Sequence, residues 1–567
     1  MFRKRRVLFF LVVALAGVAL WLYSRRGPYI ADGSVLLVNL QGSYPEAPPE
    51  GIWAKLLAPR ETALAELLLT LRKAGKDARI QGVVARIAGL DIGWAKANDI
   101  RDALFALRLA GKRCIALLED EVGNANLSYY VATGCERVYT APSAQVALRG
   151  LIAHYLFLGG LWEKFHIEID VEKVAEYKTA GDTLAGKEMS PPHREMANSL
   201  LDSINELYLG TVAFSRGLAV ERVRSIIQEQ GPSGPQQLLD SGLIDGAKHL
   251  EDVWLELGVD RDHVVLENTY ERVPATAVGL HTGPKVAVIL GAGTIVLGES
   301  QHTASRSLAG AESLRTALSE ASDDPSIRAI LLRVDSPGGS ALASDIVWRA
   351  VEGARRKKPV IASFSDVAAS GGYYIASAST RIVAQPGSFT GSIGVVFARP
   401  NVRGLLTDWG IHVESITRGR LAYLDDITTP LDAEGRARIR EDVERTYELF
   451  VQRVSDGRKL EKGQVHDVGR GRVWTGAQAK EIGLVDALGG FYAALDLAKQ
   501  EAGIPAEQDP ELVFLPAAKG WWQTLTEGVD SKLLHEMPRF LRELARAYPK
   551  GLPQGPATIM ADHFWVQ

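Results

Sequence analysis

The feature that most constrains the fold of this chain is an internal duplication. A β-rich apolar run at residues 35–40 has a counterpart at 286–290, and Ser-Tyr-Tyr-Val-Ala at 128–132 is matched by Gly-Tyr-Tyr-Ile-Ala at 372–376. Many further matches follow in the same order, with an offset that drifts only from 247 to 244 to 241 residues. Collinear similarity of this kind indicates that one folding unit occurs twice in tandem.

Each copy alternates short β-rich runs with stretches of helical periodicity. This alternation predicts βαβ units with right-handed crossovers and a mainly parallel sheet, and therefore an α/β fold. We predict a first repeat at residues 34–270 and a second at 284–502, joined by a linker at 271–283 that contains Pro, Gly and Thr. A C-terminal tail, residues 503–567, follows the second repeat, and the sequence indicates no role for it.

The first 33 residues differ from the rest of the chain. Four basic residues at positions 3–6 precede an uninterrupted apolar run at 7–23, and two arginines follow at 25 and 26. The run is about the minimum length for a helix that crosses a ~30 Å hydrocarbon core. The basic excess before it favours a cytoplasmic N-terminus, with the rest of the chain outside the cytoplasm. The alternative is a cleaved signal peptide, with a cleavage triplet at 14–16.

Composition excludes several classes of protein. Charged residues make up 23% and apolar residues 46% of the 567 residues, which excludes a mainly disordered chain and a multi-span membrane protein. The net charge of −4 provides no basic field for nucleic acid. Two cysteines, Cys114 and Cys135, exclude a disulfide scaffold and a four-thiolate zinc site. Their apolar surroundings indicate two small core residues, and one disulfide between them is possible but not predicted.

The first candidate site lies where the two copies differ. The second copy contains Asp-Val-Ala-Ala-Ser-Gly-Gly at 366–372, at a predicted strand-to-helix turn after a strand ending at residue 363. Ser370 would place its hydroxyl near the positive end of the helix, and Gly371 would offer its N–H to an oxyanion. The first copy has Asn126 at the position of Ser370 and no glycine pair.

A second glycine-rich turn follows the preceding strand of the same copy. Its sequence is Asp-Ser-Pro-Gly-Gly-Ser at 335–340, whereas the first copy has Ala-Gly-Leu-Asp-Ile-Gly at 88–93. A Pro-Gly-Gly turn at a strand end can direct backbone N–H groups to one point, as an oxyanion hole requires. Two such turns at successive strand ends of one repeat favour a catalytic serine over ordinary tight turns.

A serine nucleophile needs a general base. The eleven histidines stand in no recognisable motif and are interpreted as structural or surface residues, although a triad can occur in any chain order. Lys178 of the first copy is the alternative base, because the second copy has Ala422 at the corresponding position. The copy with the serine lacks the lysine and the copy with the lysine lacks the serine, which predicts one composite site.

These residues resemble the long, duplicated form of signal peptide peptidase A, whose wider superfamily resembles Clp proteases and crotonases. The resemblance covers roughly residues 34–490 and the N-terminal apolar segment. It is carried by Asp-Ser-Pro-Gly-Gly-Ser (335–340), Ala-Ser-Gly-Gly-Tyr-Tyr (369–374), Thr-Gly-Ser-Ile-Gly (390–394) and Tyr-Lys-Thr-Ala-Gly-Asp (177–182).

The resemblance implies a role for each matched residue. Ser370 would be the nucleophile and Lys178 the general base. Ser392 would bind the lysine amine and orient it. The backbone N–H groups of Gly339 and Gly371 would form the oxyanion hole. The fold implied is two crotonase-like and Clp-protease-like βαβ repeats, preceded by one transmembrane helix.

The function implied is a membrane-anchored serine endopeptidase that degrades remnant signal peptides, which are apolar, through an acyl-enzyme. A homotetramer is implied as well, and no cofactor, metal or nucleic acid. Lys178 must be neutral to act as a base, so we expect Glu172 and Glu176 to point away from it. Two alternatives are a crotonase-like acyl-CoA enzyme and a non-catalytic membrane scaffold.

Overall fold

The computed structural model of the chain describes residues 27–47, 62–121, 123–303, 306–516, 557–558 and 565–566. Within these ranges no helix is both long enough and apolar enough to cross a membrane. The predicted membrane-spanning segment, residues 7–23, lies outside the described residues.

The first repeat forms a parallel sheet with the strand order β7-β4-β3-β2-β1-β8. Its strands are β1 (Ser34–Gly42), β2 (Ile80–Leu90), β3 (Arg113–Leu118), β4 (Arg137–Thr140), β5 (Ala153–His154), β6 (Glu168–Lys173), β7 (Gly246–Ala247) and β8 (Val264–Leu266). Its helices are α1 (Leu64–Lys76), α2 (Trp94–Leu109), α3 (Asn126–Ala132), α4 (Gly159–Lys164), α5 (Ala180–Ala185), α6 (Pro191–Arg216), α7 (Val220–Arg224), α8 (Pro235–Asp240), α9 (Leu250–Leu257) and α10 (Glu267–Tyr270).

The second repeat forms a sheet with the order β19-β17-β15-β13-β9-β21, and β16 continues it from β15 to β20. The strands that follow the first repeat are β9 (Gly283–Ala292), β10 (Thr294–Val296), β11 (Gln301–Thr303), β12 (Arg306–Gly310), β13 (Ile327–Ser336), β14 (Gly339–Ser340), β15 (Val360–Ala369), β16 (Arg381–Ala384), β17 (Phe389–Gly391), β18 (Val396–Asn401), β19 (Val473–Thr475), β20 (Ala487–Leu488), β21 (Pro510–Leu515), β22 (Ala557–Thr558) and β23 (Trp565–Val566). The helices are α11 (Ala311–Asp323), α12 (Ala341–Arg355), α13 (Gly371–Ser377), α14 (Arg403–Asp408), α15 (Ala433–Arg458), α16 (Lys462–Val468), α17 (Gly476–Glu481) and α18 (Phe491–Glu501).

A further sheet joins the two repeats. Its order is β11-β12-β10-β14-β22-β18-β6. β6 of the first repeat is therefore the edge strand of a sheet whose other strands come from later parts of the chain. β6 pairs antiparallel with β18 over six residue pairs, from Val396↔Lys173 to Asn401↔Glu168. Because of this pairing, the residues that follow β6 lie against the second repeat.

Burial patterns explain why these segments form these elements. In β1, residues on both faces of the strand are buried, as expected for a parallel strand covered by helices on both sides. In α1, the buried positions include Leu64, Leu67, Leu68 and Leu71, which is the spacing of one helix face. The predicted α/β fold of largely parallel strands is confirmed.

Three features differ from the predictions. β15 continues past residue 363 to Ala369, so that the serine motif directly follows a strand. β21 lies beyond residue 502 and pairs with β9 in parallel, as β8 pairs with β1, so the repeated sheet extends to Leu515. Cys114 and Cys135 are buried, as predicted, but they form a disulfide.

Candidate active site

Ser370 lies at the turn from β15 into α13. Its backbone N–H donates to the carbonyl of Gly391 at 2.8 Å, and its own carbonyl accepts the N–H of Tyr374. Its φ of 54° is a left-handed value that non-glycine residues rarely adopt. Such backbone positions persist only where the surrounding structure enforces them, and they cluster at functional sites. The residue is fully buried, so its hydroxyl is confined.

Lys178 reaches the same point from the first repeat. It lies between β6 and α5, and its Nζ donates to Ser370 Oγ at 2.9 Å. The amine also donates to the carbonyl and to Oγ of Ser392, each at 3.0 Å. The structure thus brings together the three side chains that the sequence assigns to one site. Among the described residues, no histidine is hydrogen-bonded to Ser370 Oγ.

The amine of Lys178 is shielded from water. Lys178 is only 1% exposed, and a turn of the second repeat covers it. A Cβ added to Gly471 of that turn would lie 2.4 Å from the backbone nitrogen of Lys178, and one added to Gly394 would lie 3.2 Å from Cδ of its side chain. Burial lowers the pKa of Lys178 to about 7, from an ordinary value of ~10.4. Near neutral pH a substantial share of the amine is therefore unprotonated.

The two nearby carboxylates bond arginines of the second repeat. Glu172 accepts hydrogen bonds from Arg440, at 3.0 Å from its Nη2, and Glu176 pairs with Arg470. Neither carboxylate opposes the effect of burial on Lys178. The expectation that Glu172 and Glu176 point away from the amine is confirmed.

A buried ion pair holds β6, the strand that precedes Lys178, against β18. Asp170 of β6 accepts a hydrogen bond from Arg399 of β18 at 3.0 Å, and both side chains are 5% exposed. Arg399 also donates to the carbonyls of Tyr423, Leu424, Asp426 and Thr429. These bonds tie β6, β18 and the segment before α15 together, and they hold the loop that follows β6 over Ser370.

The glycine turns meet beside Ser370. Gly338 and Gly339 have φ of 110° and 152°, and a Cβ added to Gly339 would lie 2.1 Å from the carbonyl oxygen of Ile295. A Cβ added to Gly371 would lie 3.2 Å from the backbone nitrogen of Gly339. The absence of side chains at Gly339 and Gly371 lets their backbones lie against each other next to the serine.

One ionic cluster next to the site includes a lysine of the first repeat that the sequence did not indicate. Lys96 of α2 contacts Asp335 at 2.8 Å and Asp366 at 3.7 Å. The Asp366 carboxylate also accepts the backbone N–H groups of Gly93 and Lys96. Burial raises the pKa of Asp366 to about 6, although Lys96 opposes this rise. The two aspartates belong to the motifs already identified, but no pattern marked their partner in the first repeat.

A second buried cluster lies between the repeats. Arg333 of β13 donates at 2.8 Å to both Glu46 and Asp99 of the first repeat. It also donates to Ser363 Oγ and to the carbonyl of Phe364. Burial would raise the pKa of Glu46, but the guanidinium holds it below its ordinary value. This cluster connects the first repeat to the strand that leads into the Pro-Gly-Gly turn.

The corresponding position of the first repeat has a structural role. Asn126, the counterpart of Ser370, donates to the carbonyl of Gly150 at 2.6 Å and accepts a hydrogen bond from Tyr208 at 3.0 Å. Its amide thus joins a loop to α6. The duplicated fold is retained there while the serine is replaced.

Comparison with known proteins assigns the family. The profile described as "Peptidase family S49" matches residues 106–262 and 352–505, one segment in each repeat. "Serine protease SPPA, chloroplastic" of Arabidopsis thaliana is 34% identical over 515 residues, covering 89% of this chain and 74% of that protein. "Protease 4" of Salmonella typhi is 29% identical, covering 87% of this chain and 83% of that protein. This chain therefore belongs to peptidase family S49, as a serine protease of the SppA type.

Proposed function

We propose that this chain is a serine endopeptidase in which Lys178 of the first repeat is the general base for Ser370 of the second. The observation that carries the proposal is the 2.9 Å contact between Lys178 Nζ and Ser370 Oγ. The amine makes this contact where burial holds its pKa at about 7. A base with a pKa near the working pH combines a large unprotonated fraction with useful basicity.

The proposed reaction has two stages. Neutral Lys178 takes the hydroxyl proton as Ser370 Oγ bonds to the peptide carbonyl carbon, and the oxyanion accepts N–H bonds from Gly339 and Gly371. The lysine ammonium then donates its proton to the leaving amine as the C–N bond breaks, which leaves an acyl-enzyme. Water attacks the acyl carbon, Lys178 accepts a proton from that water, and Ser370 receives it back as the acid leaves. Ser392 holds the amine in position through its two 3.0 Å bonds.

The substrate we propose is an extended apolar peptide, such as a remnant signal peptide. The strand order β14-β22-β18 supports an extended substrate. Here β22, from the C-terminal tail of the same chain, pairs with both β14 and β18, so an extended backbone fits between these two strands. Pairing of that kind binds a peptide main chain without selecting its sequence. We further propose that residues 7–23 anchor the enzyme in the inner membrane, with its body on the extracytoplasmic side, and that it forms a homotetramer.

Ser370→Ala should abolish both labelling by a fluorophosphonate probe and hydrolysis of an apolar peptidyl ester, with the rate falling by at least ~10³. The experiment uses the full chain in detergent micelles. Ser379→Ala is the matched control, because Ser379 is buried near the same helix and its Oγ has no hydrogen-bond partner among the described residues. Full activity of Ser370→Ala together with binding of CoA thioesters would favour the acyl-CoA alternative, and a wild type that the probe never labels would favour a scaffold.

Gly339→Ala should lower kcat by roughly 10²–10³, the usual effect of losing one oxyanion donor. The added methyl group would collide with the carbonyl of Ile295, so the turn and its proposed oxyanion donor must shift. Gly353→Ala is the control, since Gly353 lies in α12 with no atom within 4 Å of the added Cβ. Ester hydrolysis under saturating conditions measures both. Unchanged kcat in Gly339→Ala would contradict the assignment of this turn.

A further inference from the structure

The pairing of β13 with β15 contains a β-bulge. The register shifts between Val334 and Ser336, where three residues of β15, 365–367, lie opposite one residue of β13. A bulge bends its strand and re-aims the residues that follow it, and bulges are frequent next to active sites. The equivalent strands of the first repeat, β2 and β3, pair in one continuous register. The bulge is thus a feature of the copy that carries Ser370.

The bulge sets where the residues after it lie. Before the bulge, β15 pairs with β16, whereas residues 367–369 pair with β17, and the N–H of Ser370 donates to the last residue of β17. Because Ser336 lies opposite Ala368, the Pro-Gly-Gly turn and the serine turn leave the sheet side by side. A different register would move Ser370 away from Gly339, so the position of the nucleophile depends on the bulge.

The first repeat holds the bulge through backbone contacts. Asp366, the middle bulge residue, accepts the N–H groups of Gly93 at 3.0 Å and of Lys96 at 2.9 Å, at the start of α2. A carboxylate at a helix N-terminus bonds donors that have no partner within the helix, and the helix dipole stabilises its charge. Ser365, the first bulge residue, donates its hydroxyl to Glu46. Two of the three bulge residues are therefore bonded to the other repeat.

The side chain of Lys96 holds the same bulge through its charge. A cation in the first turn of a helix is opposed by the helix dipole, so its presence there indicates an acidic partner. Lys96 is 12% exposed, and its Nζ lies 2.8 Å from Asp335 and 3.7 Å from Asp366. Asp335 also accepts the N–H of Val367, the last bulge residue. Burial would lower the pKa of Lys96, but the two aspartates raise it above its ordinary value, so the side chain is a cation.

We propose that Lys96 is a positioning residue for the peptidase reaction. Its ammonium neutralises Asp335 and Asp366, one on each strand that leads to the site, and so holds the bulge in place. The bulge in turn keeps Ser370 beside the Pro-Gly-Gly turn. The first repeat thus supplies two lysines to the reaction, Lys178 as the base and Lys96 as the residue that holds the strand of the nucleophile. The inference rests on the proposed function.

Lys96→Met should lower kcat for an apolar peptidyl ester by about 10–10²-fold, the usual effect of misplacing a reacting group by ~1 Å. KM should change by less than about threefold, because no contact with the substrate is removed. The ascending limb of the pH profile should stay where wild type has it, since Lys178 is unchanged. The full chain in detergent micelles is used, and urea denaturation checks that each variant is folded.

A second substitution in the same variant tests the role of charge. Adding Asp335→Asn to Lys96→Met removes the repulsion between the two carboxylates, and the amide oxygen of the asparagine can still accept the N–H of Val367. We therefore expect kcat to recover by at least about fivefold over Lys96→Met alone. A role of Lys96 in packing alone would give no such recovery.

Lys112→Met is the matched control. Lys112 follows α2 in the same repeat, and its amine donates to the carbonyls of Asp77 and Ile80, so this substitution also removes two hydrogen bonds of a lysine. It should leave kcat at the wild-type value. Equal losses of kcat in the two lysine variants, or no recovery on adding Asp335→Asn, would overturn the role of Lys96. A wild type that hydrolyses no ester would instead overturn the proposed function.

Gly93→Ala tests the same contact without a change of charge, and it decides the question if Lys96→Met does not fold. The added methyl group would lie 2.3 Å from Asp366 Cγ, so the carboxylate must move from the start of α2. We expect kcat to fall by about tenfold or more with KM near the wild-type value. Gly210→Ala is the control, because Gly210 lies in α6 with no atom within 4 Å of the added Cβ. A kcat of Gly93→Ala within about twofold of that control would contradict the proposal.

Discussion

Lys178→Met should lower kcat/KM for a peptidyl ester by about 10⁴, the upper range for loss of a general base. Methionine keeps the length and apolar character of the side chain, so that the pocket under Gly394 and Gly471 stays filled. It removes the atom that lies 2.9 Å from Ser370 Oγ. Steady-state hydrolysis at pH 8 measures the loss. A variant within tenfold of wild type would mean that Ser370 uses another base.

The pH profile of the wild type follows from the same amine. Because burial lowers the pKa of Lys178 to about 7, the reactive neutral form accumulates as pH rises through that value. We expect kcat/KM to rise with pH on a limb centred near 7 and to level off well below the ordinary lysine pKa of ~10.4. An ascending limb centred near 10 would contradict the buried position of the amine.

The buried amine also makes the free energy of unfolding depend on pH, which shows whether Lys178→Met still folds. The unfolded chain keeps this lysine protonated up to about pH 10, whereas the folded chain releases the proton near 7. Between these values the unfolded state binds more protons, so the lysine contributes a rise in the free energy of unfolding with pH. Lys178→Met lacks that contribution. Near pH 7 we expect this variant to have the higher free energy of unfolding, because it buries no amine. The difference from wild type should shrink from pH 7 to pH 10, as measured by urea denaturation.

The sequence predicts the candidate site residues because the duplication provides an internal comparison. Core positions stay similar in both copies, since packing constrains each copy alike, whereas Ser370 and Lys178 each have a chemically different counterpart. The same comparison could not locate β21, because its counterpart β8 has only three residues and no distinctive motif.

Contacts between the repeats could not be predicted from the sequence. The alternation of strands and helices predicts parallel sheets within each repeat, but nothing in that pattern pairs β6 with β18 across the two. Arg333, Glu46 and Asp99 look like ordinary charged residues in the sequence, and only the fold brings them together in the interior. Burial of charge is a property of tertiary structure, so local periodicity does not reveal it.

The buried cluster of Arg333 makes the folding of one repeat depend on the other. Its guanidinium is fully buried and satisfies two carboxylates of the first repeat at once. An ion pair in this environment contributes little compared with a well-packed apolar pair, but removal of one partner leaves an uncompensated charge. Arg333 is the critical partner, because among the described residues it is the cation that bonds both Glu46 and Asp99.

Arg333→Met should therefore destabilise the protein by about 3–5 kcal/mol, as judged by urea midpoints at pH 8. Burial is the largest influence on the pKa of Glu46, and we expect it to raise that pKa above the unfolded value of ~4.3 once the guanidinium is removed. The loss should then be smallest near pH 4 and grow as pH rises. Arg381→Met is the control: its 3.0 Å pair with Glu501 is 51% exposed on the arginine side and should contribute less than about 1 kcal/mol. Equal effects of the two substitutions would show that the buried carboxylates find other partners. A loss confined to Arg333→Met, and relieved when Glu46→Gln is added, would show that the unpaired carboxylate is its cause.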